Sequence, residues 1–174
     1  MKRANVVLAA VAALVLLAAP TEAAGAGNKK VFGLGVVFPE PTGLTGKLFL
    51  NETLAFQFDA AFMLLNRQAL VGFIDFVWHP AVVTENRYFL LLWYFGVGAG
   101  TGIDAPWHES GKGKDRGWDP NPAFWVRAPF GFSFLFDRVP VEAFVQFGPA
   151  SRFYPFWDWD IFGAVGGRWY FGGS

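Results

Sequence analysis

His108, Glu109 and Ser110 come closest in type and spacing to catalytic chemistry, because a histidine and a serine at i, i+2 beside a carboxylate can form a hydrolase triad. They lie between Thr101 and Pro122, a stretch rich in Gly, Lys and Asp that lacks the rigid support needed to hold a nucleophile against its base. A solvated loop is therefore expected there, with no catalytic residue and no enzymatic activity. The other histidine, His79, stands beside Pro80 with no second histidine near it in the chain. It reads as a rim residue rather than a metal ligand, and neither metal nor cofactor is expected.

Six charged residues form a more coherent set. Lys47, Asp59, Asp75, Arg127, Glu142 and Arg168 all occupy the polar phase of alternating segments, and three are positive and three negative. An unpaired buried charge costs several kcal/mol, so a balanced set predicts interlocking pairs in a filled interior. The competing use of such a set is a proton or ion path. Hairpin registers centred on their turns place Glu142 opposite Arg168 and Asp75 opposite Gln57.

The elements that must hold these charges are legible from Phe124 to Asp137. Its even positions, Phe124 through Phe136, are all apolar, while the odd ones include Arg127, Gly131 and Ser133. A period of two, with an aromatic face opposed to a charged one, marks a transmembrane β-strand, lipid outside and polar interior within. Similar alternation predicts strands near 31–38, 43–51, 53–62, 69–79, 87–100, 123–136, 140–149 and 160–171. In the third, Leu54, Phe56, Phe58, Ala60 and Phe62 face lipid. In the fifth, Tyr94, Gly96, Gly98 and Gly100 are placed inside, where small residues relieve crowding. The connections Asn51-Glu52, Pro80 to Asn86 and Asp137-Arg138-Val139 are short, whereas Thr101 to Pro122 and Ala150 to Trp159 are the longest. Short periplasmic turns and longer outer loops have this rhythm.

Export is written at the start of the chain. Lys2 and Arg3 precede an apolar run from Val6 to Ala19, then Pro20 and small residues, as in a signal peptide cleaved after Ala23 or as late as Ala26. Residues 1–23 are thus expected to be removed, leaving residues 24–174 as a single domain. The chain has no cysteine, so neither a lipidated cysteine nor a disulfide framework is available. It is 53% hydrophobic and 19% aromatic with 16% charged residues, too apolar for a soluble exported domain, yet it has no run long enough for a spanning helix. A closed barrel reconciles these facts, because its ladder satisfies every backbone group while each strand shows one apolar face. Formal net charge is zero and no Lys/Arg cluster follows the signal peptide, so neither nucleic acid nor a polybasic lipid contact is suggested.

Arg152 to Asp160 interleaves Phe153, Tyr154, Phe156, Trp157 and Trp159 with acids. Aromatics at a barrel mouth form an interfacial girdle. They also offer a surface, alongside Trp107 and Trp118 of the longer loop, on which an extracellular protein or glycan could dock.

Glu40-Pro41-Thr42-Gly43-Leu44-Thr45-Gly46-Lys47, Arg127-Ala128-Pro129-Phe130-Gly131, Val139-Pro140-Val141-Glu142 and Gly166-Gly167-Arg168-Trp169-Tyr170-Phe171 resemble motifs of a family of small, uncharacterised bacterial outer-membrane proteins. The resemblance implies an eight-stranded, OmpA-like transmembrane barrel with Lys47, Arg127, Glu142 and Arg168 as shared interior positions, and it supplies no enzymatic residue. Where the family repeats an acid beyond Glu142 this chain has Gln146, and where a basic residue follows the fifth strand's glycines it has Gly100. Trp169-Tyr170-Phe171 resembles the aromatic C-terminal signal read by the barrel-insertion machinery. The expected protein is a monomeric outer-membrane barrel in contact with lipid and lipopolysaccharide. It serves envelope structure or surface interaction through loops 101–122 and 150–159; the alternatives are a narrow ion or small-solute channel and a membrane-embedded lipid hydrolase.

Overall fold

The computed structural model describes residues 31–63, 69–104, 121–155 and 157–171. The segment 1–23 expected to be a signal peptide, His108-Glu109-Ser110, Trp107, Trp118 and Phe156 lie outside them. Nine strands and no helix occur among the described residues: β1 (Phe32–Glu40), β2 (Thr42–Phe49), β3 (Leu54–Met63), β4 (Ala69–Glu85), β5 (Phe89–Asp104), β6 (Asn121–Arg127), β7 (Phe130–Phe136), β8 (Val141–Tyr154) and β9 (Asp158–Phe171). Every pairing is antiparallel, and β9 returns to pair with β1.

The strand expected over 123–136 is interrupted. Pro129 has no N–H to give to a ladder, and the chain leaves strand geometry at Ala128-Pro129. Even so, β6 and β7 act as one stave, since each pairs with β5 on one side and β8 on the other. Backbone bonds bridge the break: the Gly96 N–H donates to the Pro129 carbonyl at 2.8 Å and the Ala128 N–H to the Pro149 carbonyl at 3.0 Å. The sheet therefore closes in a ring of eight strands.

Three expected connections are shorter than their sequences suggest. Pro80 to Glu85 continues β4 through two register shifts, leaving the turn to Asn86-Arg87-Tyr88. At the other end β8 runs to Tyr154 and β9 begins at Asp158, because the register carrying Glu142 opposite Arg168 persists to Arg152 opposite Asp158. Phe153, Tyr154 and Trp159 are thus strand residues, not members of a loop 150–159. Likewise β5 extends to Asp104 and pairs it with Asn121, which narrows the loop expected over 101–122. Turn-forming residue types do not end the strands here, because a hydrogen-bonded partner strand holds them extended.

Alternation sorts the two faces. Ala55, Gln57, Asp59, Ala61 and Met63 of β3 are buried, as are Val71, Phe73, Asp75, Val77 and His79 of β4. Phe56, Phe62, Leu70 and Phe76 point outward, and Ile74 and Ile161 reach 64% and 78% exposure. Two apolar layers bound the interior. Phe49, Ala55, Val77, Leu92, Tyr94, Leu135 and Tyr170 pack at the short-turn end, and Met63, Val71, Phe73, Ala123 and Trp125 at the other.

Glycines make room for the large polar residues between those layers. A Cβ at Gly98 would overlap the carboxylate of Asp75, and one at Gly33 would press on the Tyr170 ring, 3.0 Å from Cζ. Gly98→Ala is accordingly expected to cost about 1–3 kcal/mol through overpacking, although alanine is ordinarily the better strand residue. Gly163→Ala is the matched control, since nothing lies within 4 Å of a Cβ there. Equal urea-unfolding midpoints for the two variants would contradict the packing at Asp75.

Candidate functional site

All six charged residues picked out by alternation are buried, and they assemble into two clusters rather than three pairs. In the first, Arg127 grips Asp75 with a two-pronged contact, Nε to Oδ1 at 2.7 Å and Nη2 to Oδ2 at 2.5 Å, and Nη2 also donates to Asp59. Fork-on-carboxylate geometry of this kind is among the strongest hydrogen bonding a side chain makes. The guanidinium lies 4.0 Å from the centre of the Phe73 ring and 5.3 Å from that of Phe162, so the apolar layer meets the charge with aromatic faces. Asp75 does stand opposite Gln57 in register, but its charge partner lies on the other side, on β6, reached over Gly98 of β5 in the same row.

Glu142 organises the second cluster. Its Oε1 accepts from Lys47 Nζ at 2.9 Å and from the Ser133 hydroxyl, and its Oε2 accepts from Arg168 Nη1 at 3.2 Å and the Tyr170 hydroxyl at 2.6 Å. Arg168 also donates through Nη2 to Thr45 Oγ1 at 2.8 Å and stacks 3.8 Å from the centre of the Phe144 ring. The Lys47 ammonium sits about equally far from the Phe49 and Tyr94 rings, at 5.0 and 4.9 Å. Two cations share one acid here, and two acids share one cation in the first cluster. Each cluster carries one uncompensated formal charge, and neutrality belongs to the pair. Between them Gln57 Nε2 donates to Gln146 Oε1 at 2.8 Å, and the Tyr94 hydroxyl reaches the same oxygen at 3.2 Å.

His79 is not a rim residue. Because β4 continues beyond it, the imidazole is fully buried, with the rings of Phe49 and Tyr94 each 5.3 Å away and Nδ1 3.2 Å from the Thr53 carbonyl. Its Nε2 has no hydrogen-bond partner. Among the described residues no group of three His, Asp or Glu side chains is arranged to hold a metal ion. Ser133 stands between Lys47 and Glu142, yet its hydroxyl proton goes to the carboxylate and its lone pair to the ammonium. It bridges the cluster.

Thr45, Tyr94, Ser133 and Tyr170 complete this network, and the charged set alone does not reveal them. Parity is the signal that finds them, since Thr45 shares a face with Lys47 and Tyr170 with Arg168. Glu40 and Arg152 are buried as well, and both stood in segments read as turns or loops. At the ring's other mouth the Trp157 and Trp159 rings meet edge to face at 5.9 Å, and both are 64% exposed. Phe153 and Tyr154 instead pack against Phe124, at 6.1 and 5.9 Å. No family model matches the chain, nor does any curated protein or solved structure.

Proposed function

We propose that this chain is an outer-membrane β-barrel of the OmpA-like kind, with a plugged interior, that serves envelope structure and surface interaction rather than catalysis or transport. The single observation that carries the reading is the inversion of the two faces. Large apolar side chains ring the outside, whereas among the ionisable groups inside are the six charged residues of the two clusters, each engaged with an opposite charge. A soluble closed sheet places its apolar side chains within and its charges without; the reverse suits a hydrocarbon solvent. Interlocked ion pairs between two apolar layers support a filled interior over an ion path. Trp157 and Trp159 offer the exposed aromatic surface for a protein or glycan partner or for lipopolysaccharide, and Trp169-Tyr170-Phe171 at the end of β9 is the segment offered to the insertion machinery.

Two measurements test this. Purified protein in detergent is expected to migrate differently on gels before and after boiling, because a closed ladder resists detergent until heated. In planar bilayers the same preparation is expected to give no unitary conductance. Equal mobility of boiled and unboiled β-rich protein counts against the barrel, and sustained conductance steps overturn the plug.

A further inference from the structure

Basic residues are scattered along the mature sequence, yet the fold gathers two of them on one ring. Tyr88 ends the turn between β4 and β5, and Arg138 lies between β7 and β8. The Asp137 N–H donates to the Tyr88 carbonyl at 3.1 Å and so joins the two turns. Arg87 lies 4.6 Å and Arg138 5.4 Å from the centre of the Tyr88 ring, and Arg87 Nη2 also donates to the Tyr88 hydroxyl. Asn86 fixes the turn: its side-chain oxygen accepts from the N–H groups of Tyr88 and Phe89 at 2.9 and 3.2 Å. Among the described residues no carboxylate lies within ion-pair distance of either guanidinium. Two like charges thus share one aromatic ring, and although Glu85 and Asp137 are exposed at the same rim, neither guanidinium is tied into an ion pair with them.

Their surroundings name the anion. Tyr88, Arg87 and Arg138 are exposed at the short-turn rim, and immediately beside them Phe89 and Phe134 pair at 6.0 Å on the outward face, with Val139 also exposed. On the barrel reading, on which this inference rests, that is the depth of the phospholipid headgroups, where amphipathic aromatics and basic residues settle. Guanidinium forks match phosphate oxygens in pairs. We infer that Arg87, Tyr88 and Arg138 form a binding site for the headgroup phosphate of an anionic phospholipid in the leaflet on the short-turn side. Tyr88 orients the guanidiniums and Val139 lies against the acyl-chain boundary. A zwitterionic lipid is a poorer ligand, because its own headgroup cation competes for the phosphate.

The test uses the full mature protein inserted in phosphatidylcholine vesicles containing spin-labelled phosphatidylglycerol or spin-labelled phosphatidylcholine. The expected result is preferential retention of phosphatidylglycerol next to the protein, up to roughly fivefold for each arginine. That preference should be lost in Arg87→Gln/Arg138→Gln, reduced in Arg87→Lys/Arg138→Lys, and insensitive to millimolar inorganic phosphate. Heat-modifiable mobility, followed in parallel, should be the same in all variants. Inserted, heat-modifiable wild type without selectivity overturns the lipid site alone, as does unchanged selectivity in the Gln variant. Displacement by inorganic phosphate also overturns it, since the site would then take the free anion. Failure of the wild type to insert at all overturns the barrel reading and this inference with it.

Discussion

Arg127→Met is expected to lower stability against unfolding by about 3–5 kcal/mol, because it removes the one cation that Asp59 and Asp75 share and leaves two adjacent carboxylates buried without a counter-charge. Methionine fills most of the space and keeps the packing against Phe73 and Phe162, so the loss reports charge rather than a void. The measurement is the urea-unfolding curve of the refolded protein in vesicles. Combining Arg127→Met with Asp59→Asn and Asp75→Asn should recover much of the loss, since no buried charge then remains in the cluster. A triple variant no more stable than the single would mean that the guanidinium acts through packing alone, and a single-variant cost well below about 1 kcal/mol would mean that the cluster is hydrated.

Glu142→Ala should be as damaging, again about 3–5 kcal/mol, with a distinctive pattern of rescue. It leaves Lys47 and Arg168 both unpaired and strips the Ser133 and Tyr170 hydroxyls of their acceptor. Were Glu142 and Arg168 an isolated pair, Glu142→Ala/Arg168→Met would restore most of the stability. Because Lys47 shares the carboxylate, the double variant should recover only part, and adding Lys47→Met should recover more. Additive losses for Glu142 and Arg168 in the double-mutant cycle would show that the two do not interact. Full rescue by the double variant would show that Lys47 does not depend on Glu142.

Much of the fold is legible without coordinates because the sheet period is two, and a period of two needs no knowledge of distant partners. Lys47, Asp59, Asp75, Arg127, Glu142 and Arg168 could be assigned to the inner face one strand at a time. The hairpin register of Glu142 on Arg168 could be read from the connection between their strands, and it is the observed one. Strand ends were less legible. Pro80 to Glu85 and Arg152 to Tyr154 carry turn-forming or loop-like residue types, and they stay extended because β5 pairs with the first and β6 and β9 with the second. The break at Ala128-Pro129 was missed for the opposite reason, as its side-chain alternation runs unbroken past a proline that cannot donate to the ladder.

The sequence by itself determined an all-β chain, the face taken by residues in the regular middles of the strands, and the six charges of the interior clusters, since all three depend on local alternation and composition. Only the tertiary structure decided who meets whom. The contacts of Arg127 with Asp59 and Asp75, the reach of Lys47 to Glu142, the packing of His79 against Phe49 and the meeting of Arg87 with Arg138 on Tyr88 all join strands or turns that are not consecutive in the chain. Such contacts depend on ring closure, strand stagger and side-chain length, and no periodicity along a single chain encodes them.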